Sequence, residues 1–163
     1  MEIRAILWPT ESYTPSQKII DAVVTLAERF QAKIYVLHAV TPIPIFPESV
    51  SAVEVVPTFD VGLYERELVK TAKKSLAAVV RQQVPEGMDA ESHVIVGHPR
   101  DVILDFVEEK NIDVVVMATH GRSGVDRLLI GSVAGLTIRH CPVPLFVIPL
   151  DKDEATEKPA DNA

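Results

Sequence analysis

The chain has 163 residues, of which 47% are apolar and 24% are charged, and its formal net charge is −7. This length favours a single domain, and the composition is typical of a globular protein with a packed core rather than of a disordered chain. Because the excess of acidic groups would repel nucleic acids and anionic membranes, we expect neither as a partner.

The cysteine content and the first residues bear on the compartment. A single cysteine, Cys141, excludes an intramolecular disulfide and with it a disulfide-stapled secreted fold. The opening MEIRAILWPTES lacks the basic start and apolar stretch of a signal peptide, and no apolar run reaches the length of a membrane span. We therefore expect a cytoplasmic protein without a membrane span.

The first half of the chain predicts a strand, a helix and a second strand. Residues 3–8 are a short apolar run, typical of a strand that is buried on both faces. Thr14 and Pro15 offer an N-cap and a first-turn proline for a helix, and the β-branched residues of 33–40 predict the second strand. The prolines of residues 41–60 predict a long loop or a lid.

The second half continues the alternation of helices and strands. The predicted elements are a helix over 68–84, a strand over 90–96, a helix opened by Pro99, a strand over 112–118, a helix over 132–140 and a strand over 144–149. The domain should span residues 1–150, and the polar residues 151–163 should form a disordered tail. Five strands alternating with four helices predict an α/β fold, a doubly wound and mainly parallel five-stranded sheet with helices on both faces. Ligands of such sheets bind at the carboxyl ends of the strands, where the strand order reverses.

The loop after the fourth predicted strand carries a glycine pattern. It reads ATHGRSGVDRLLIGSVAG and includes Gly121, Gly124 and Gly131, with Ser132 opening the next helix. Glycines allow a close approach of the backbone to a ligand, and N–H groups at a helix start attract phosphate oxygens. The spacing alone allows two interpretations. In the first the loop binds phosphate, and in the second its glycines only close turns and Ser132 only caps a helix. The absence of G-x-x-x-x-G-K-[ST], and of G-x-G-x-x-G after the first strand, disfavours a P-loop NTPase and a dinucleotide dehydrogenase.

The glycine loop and its surroundings resemble a known family. The stretch VVVMATHGRSGVDRLLIGSVAGLTIRHCPVPLFVIP is similar to the C-terminal signature of universal stress proteins, whose nucleotide-binding members carry G-x-x-G, nine residues, then G-[ST]. Here the pattern falls on Ala118, Gly121, Gly131 and Ser132, so three of its four positions match. The resemblance covers roughly residues 3–149, including the opening of the chain and a GHP turn, and it implies a Rossmann-like fold that binds adenine nucleotides.

The resemblance also implies a set of site residues. Backbone amides and a hydroxyl near Gly131 and Ser132 would hold the phosphates, residues that follow the first strand would border the adenosine, and backbone groups of Ala39 would meet the adenine edge. His120 and Arg122 flank Gly121 and either meet phosphate charge or are a loop histidine and a solvated arginine. The candidate residues are Pro9, Thr10, Glu11, Ala39, Ala118, Thr119, His120, Gly121, Arg122, Ser123, Gly131, Ser132 and Val133. The implied ligand is ATP, ADP or AMP, with Mg²⁺ or Mn²⁺ held mainly by its phosphates.

Three functional hypotheses follow. The first is a regulatory stress-response module that binds ATP, the second is a homodimeric interaction protein of the same fold that binds no nucleotide, and the third is a weak ATPase. No activated nucleophile or general base stands near the glycine loop, so we expect at most slow ATP hydrolysis. The resemblance further implies a homodimer formed through the last strand.

The other histidines and the cysteine carry weaker signals. His38 lies on a predicted buried strand and is expected to be a core histidine with its hydrogen bonds satisfied. His98 and His140 lack the spacing of metal ligands, so we expect no metal site made of side chains. Cys141 is interpreted as a small buried hydrophobic residue rather than as a nucleophile.

Overall fold

The computed structural model describes residues 2–11, 13–42, 60–120 and 132–150. The elements, in chain order, are β1 (Ala5–Pro9), α1 (Gln17–Phe30), β2 (Lys33–Val40), α2 (Val61–Gln83), β3 (Ala90–Val96), α3 (Pro99–Glu109), β4 (Val114–His120), α4 (Ser132–His140) and β5 (Leu145–Leu150). The predicted lid, the glycine loop over 121–131 and the predicted tail lie outside the described residues, except for the ends of the lid segment.

The five strands form one parallel sheet with the order β3-β2-β1-β4-β5. From β1 the chain proceeds outward through β2 to β3, and it then returns to the other side of β1 to add β4 and β5. The strand order therefore reverses between β1 and β4, and the predicted doubly wound α/β fold is confirmed.

Side chains that alternate along the strands build one core on each face of the sheet. Ile6 and Trp8 of β1 point to the face covered by α1 and α2, where Ile20, Val23 and Leu76 are buried with them. The other face is covered by α3, and the buried residues there include Ala5, Leu7, Val102, Ile103, Phe106 and Val107. Because both faces of β1 are covered, a run of consecutive apolar residues is what this central strand requires.

Two helices begin at residues other than those predicted. The N-cap of α1 is Ser16, whose Oγ accepts a hydrogen bond from the backbone N–H of Lys18 at 3.2 Å, so the expected cap at Thr14 is wrong. The start of α2 at Val61 precedes the predicted apolar pattern, because Asp60 caps the helix through a 2.9 Å hydrogen bond from Leu63 N–H and the first turn is exposed. Polar capping, rather than apolar spacing, fixes both starts.

Candidate functional site

A cleft of about 240 Å³ opens at the carboxyl ends of β1, β2 and β4. Its position is the one predicted for a ligand of this fold, because it lies over the point where the strand order reverses. The described residues that line it are Trp8, Pro9, Thr10, Glu11, Thr14, Pro15, Ser16, Ile19, Leu37, Ala39, Pro99, Ile103, Met117, Ala118, Thr119, Ser132, Val133, Ala134 and Leu150.

The segment after β1 forms one wall of the cleft and is fixed to the end of β2. The backbone N–H of Thr10 donates to the carbonyl oxygen of Leu37 at 2.8 Å. Nδ1 of His38 lies 2.8 Å from the carbonyl oxygen of Thr10 and donates to it, since a carbonyl only accepts. The ring of Tyr13 lies against the His38 ring with centroids 5.1 Å apart, and partial burial raises the pKa of the Tyr13 phenol. Thr10 is thus held from both its N–H and its carbonyl.

The starts of three helices converge on the same cleft. Ser16, just before α1, Pro99 at the start of α3 and Ser132 at the start of α4 all line it. Each helix start carries partial positive charge from backbone N–H groups that lack partners within the helix. Among the described lining residues Glu11 is the single ionisable side chain. The described part of the cleft therefore presents the partial positive charge of backbone dipoles rather than that of basic side chains.

The start of α1 is joined to the last strand at the rim of the cleft. Nζ of Lys18 donates a 2.8 Å hydrogen bond to the carbonyl oxygen of Pro149 in β5. The next residue, Leu150, is buried and lines the cleft. The end of β5 is therefore part of the cleft wall as well as part of the sheet edge.

Eight of the predicted site residues line the cleft. They are Pro9, Thr10, Glu11, Ala39, Ala118, Thr119, Ser132 and Val133. His120 is the last residue of β4, and its side chain lies outside the described structure. The remaining four, Gly121, Arg122, Ser123 and Gly131, also lie outside the described residues, so their predicted role stays a prediction.

Ala118 occupies the first glycine position of the motif without backbone strain. It lies inside β4, and within the described part of the chain the only non-glycine residues with positive φ are Gln31 and Asn111. An L-residue therefore fits this position, and its small side chain leaves the cleft open.

Sequence reasoning missed several lining residues for two reasons. From the sequence, Thr14 and Pro15 are interpreted only as helix-start signals and Ser16 is not singled out, although a helix start that follows β1 must face the carboxyl edge of the sheet. Leu37 and Ile103 are indistinguishable from core residues by spacing, because the floor of the cleft is continuous with the core. Pro99 had a usable signal, since its GHP turn follows a parallel strand at this same edge.

The remaining histidines and the cysteine lie elsewhere. His38 has the predicted satisfied hydrogen bond but is half-buried rather than fully in the core. His98 is the N-cap residue of α3, and Nδ1 of His140 donates to the carbonyl of Leu136 at 2.8 Å. Cys141 packs against the core on the α3 face, and burial raises the pKa of its thiol. In the described ranges no group of three or more His, Cys, Asp or Glu side chains is placed to hold a metal ion.

Comparison with known proteins agrees with this architecture. The sequence model of the universal stress protein family matches residues 2–149. The chain is 27% identical over 154 residues to universal stress protein MJ0531 of Methanocaldococcus jannaschii, covering 93% of this chain and 85% of that protein. It is 26% identical over 133 residues to universal stress protein YxiE of Bacillus subtilis, covering 82% and 90% respectively.

Solved structures share the fold. Protein MJ0577 superposes with a TM-score of 0.71 at 17% identity, covering 93% of this chain and 99% of that one. A universal stress protein in complex with cAMP gives a TM-score of 0.57 at 18% identity (93% and 100% covered). One from Archaeoglobus fulgidus in complex with dAMP gives 0.53 at 19% identity (91% and 99% covered).

The fold and the cleft define a doubly wound, Rossmann-like α/β protein with a ligand-sized cleft where its strand order reverses. With the family model matching nearly the whole described chain, the chain belongs to the universal stress protein family. No helix in the portions of the chain that the structure describes is long and apolar enough to cross a membrane.

Proposed function

We propose that this protein binds an adenine nucleotide in the cleft and acts as a regulatory module in a stress response. The observation that carries the proposal is the convergence of β1, β2, β4 and the start of α4 on one cleft at the reversal of strand order. Three elements supply predicted adenosine or phosphate contacts there, through Thr10, Ala39 and Ser132. Two family structures named above hold cAMP and dAMP, which are both adenine nucleotides, and this supports the choice of ligand class.

The cleft suits a nucleotide in its chemistry. Leu37, Ile103 and Met117 offer an apolar surface for a base, and the start of α4 offers N–H groups for phosphate. A divalent cation supplies charge neutralisation to a bound triphosphate. Since the described residues bring no cluster of ligating side chains, Mg²⁺ or Mn²⁺ would be held mainly by phosphate oxygens and water.

Calorimetric titration with ATP and Mg²⁺ tests the proposal, using protein stripped of nucleotide. The informative variant is Ser132→Glu, which places a negative charge at the mouth of the cleft. Ser132 is exposed at the start of α4, where a negative charge favours the helix, so folding should be kept. We expect saturable binding by the unaltered protein and affinity at least about tenfold weaker in the variant.

The matched control is Ser92→Glu, which adds the same charge to an exposed serine of β3 that does not line the cleft. It should bind ATP as the unaltered protein does. Absence of binding of ATP, ADP and AMP by the unaltered protein would contradict the proposal and favour the interaction protein that binds no nucleotide. Phosphate release that is lost in Ser132→Glu would add slow ATP hydrolysis to the binding function.

A homodimer through β5 forms part of the proposal. In the described sheet β5 pairs only with β4, which leaves its other edge unpaired, and Phe146 of this strand is 45% exposed. An unpaired apolar edge is a liability that a second copy would cover. Sedimentation at micromolar concentration should give a dimer that Phe146→Glu converts to monomer. Phe30→Glu, at a phenylalanine of α1 with the same 45% exposure, should leave the dimer intact, and a monomeric unaltered protein would refute this part.

The cytoplasm is the compartment that we propose. The support is chemical, because a lone cysteine forms no intramolecular disulfide and the acidic surface gives no attraction to anionic lipid. Fractionation of the source cells, followed by detection with an antibody, checks this directly.

A further inference from the structure

The loop that borders the cleft after β1 is held by a residue that does not itself line the cleft. His38 is half-buried on β2, and its neighbours Leu37 and Ala39 point to the opposite face of the sheet and line the cleft. Side chains alternate along a strand, so the His38 ring lies on the α1 and α2 face. From there its Nδ1 reaches the carbonyl oxygen of Thr10 at 2.8 Å.

This hydrogen bond acts where the segment leaves the sheet. The ladder between β1 and β2 ends with the 2.8 Å bond from Thr10 N–H to Leu37 O. One residue further along β2, the side chain of His38 holds the carbonyl of Thr10 through this 2.8 Å hydrogen bond. The direction of this carbonyl fixes the peptide plane that leads into Glu11, which lines the cleft.

A second contact to His38 is made by the aromatic ring of Tyr13. The Tyr13 ring lies 5.1 Å from the His38 ring, tilted by 48°, and it shields one side of the imidazole. Thr10 and Tyr13 thus both contact His38. This arrangement reduces the number of shapes open to the segment before a ligand arrives, and such preorganisation lowers the entropic cost of binding.

We propose that His38 is a positioning residue for the nucleotide site: its Nδ1–H donates to the Thr10 carbonyl and holds the adenosine-bordering segment in its binding shape. The inference rests on the proposed function, since it concerns the same cleft. Nδ1 donates in the neutral Nδ1–H tautomer and in the protonated ring, so the bond is kept in both of these states.

Three substitutions of His38 distinguish the effect of the Nδ1–H donor on binding from the effect of the volume of the ring. His38→Asn keeps an N–H donor at the position of Nδ1, His38→Gln places its donor one bond further out, and His38→Phe keeps a ring without a donor. We expect the Phe and Gln variants to bind ATP about five- to tenfold more weakly, the equivalent of one lost hydrogen bond, and the Asn variant to bind within about twofold of the unaltered protein. His93→Phe is the matched control, because His93 is a half-buried histidine of β3 that contacts Tyr35 and Phe106 and does not line the cleft.

The readouts are calorimetric affinity, the thermal unfolding midpoint and the ¹⁵N chemical shifts of the His38 ring, which report whether Nδ1 carries the proton. Rescue by Asn but not by Gln, at comparable unfolding midpoints, supports the positioning role. Equal affinity of the Phe variant and the unaltered protein, equal affinities of the Asn and Gln variants, or a ring without a proton on Nδ1 would each overturn it. If the unaltered protein binds no nucleotide, the proposed function fails and this inference fails with it. If the unaltered protein binds ATP and all three His38 variants bind it equally well, the inference alone fails.

Discussion

Gly97 lies against the side chain of Val102 so closely that a Cβ atom at Gly97 would stand 2.6 Å from Val102 Cγ2. The same glycine donates its N–H to the carbonyl of Val40 at 2.9 Å, which joins the turn after β3 to the end of β2. These two contacts fix the turn from which α3 begins. Because Pro99 is the first residue of α3, they also place it in the wall of the cleft.

Replacing this glycine should strain the turn. We expect Gly97→Ala to lower the free energy of unfolding by about 1–3 kcal/mol, because the added methyl overlaps a buried side chain. Chemical denaturation measures the effect. In the Gly97→Ala background, Val102→Ala should cost less than it does in the unaltered protein, since it also removes the overlapping methyl. Additive effects of the two substitutions would contradict direct contact.

The carboxylate of Asp113 holds the beginning of β1. Its Oδ2 accepts hydrogen bonds from the backbone N–H groups of Arg4 at 2.8 Å and Ala5 at 2.9 Å. We expect Asp113→Ala to destabilise the protein by about 1–3 kcal/mol, since it leaves two backbone donors without this acceptor, and Asp113→Asn to cost less. Denaturant unfolding of Glu2→Gln is the control: the Glu2 ion pair with Arg4 is exposed and should contribute nothing measurable.

The thiol of Cys141 should react slowly in the folded protein. Burial raises its pKa, and this effect exceeds the opposing one of a backbone hydrogen bond from Val143. Since the thiolate is the reactive form, we expect alkylation by iodoacetamide to be slower in the folded protein than in urea at the same mildly alkaline pH. The rate should keep rising at higher pH. Mass spectrometry follows the adduct, Cys141→Ala supplies the unlabelled control, and equal rates in the two states would contradict the shielding.

The ion pair between Lys33 and Glu91 should make a small contribution to stability that is present near neutral pH and is lost in acid. The hydrogen bond from Lys33 is the main cause that lowers the pKa of the Glu91 carboxyl in the folded protein. A lowered folded pKa means that the stabilisation is present above the unfolded pKa and is lost as the pH falls through the folded one. Unfolding midpoints of Glu91→Gln should therefore lie below those of the unaltered protein near neutral pH. The difference should vanish in acid, and a constant difference would argue against titration of this pair.

The architecture could be predicted from the sequence, while the site could be predicted only in part. Apolar runs, apolar residues at helical spacing and helix-start signals predict all nine elements, because buried parallel strands and amphipathic helices leave patterns of distinct period. Ser132 is predicted by the glycine motif, and Thr10 by the family resemblance of the first residues. The contact between His38 and Thr10 could not be predicted, since it joins residues on different elements through a side chain and a backbone carbonyl.

The exact start of α1 also could not be predicted from the sequence, although its candidates are adjacent residues. Thr14, Pro15 and Ser16 are three successive residues that favour a helix N-terminus, and the choice among them depends on which hydroxyl reaches a backbone N–H. That choice is made by the path of the chain out of β1. Local sequence supplies the candidates, and the tertiary path selects one.

The cleft is assembled from opposite ends of the chain. Thr10 and Ser132 lie on its wall together, yet more than a hundred residues separate them, and they meet only when β4 pairs with β1. During synthesis β1 and β2 leave the ribosome long before β4 and α4, so the first half of the chain has no binding cleft. Under the proposed function, the nucleotide consequently recognises only a chain in which β4 has joined the sheet and stabilises only that state, which makes nucleotide occupancy a readout of completed folding.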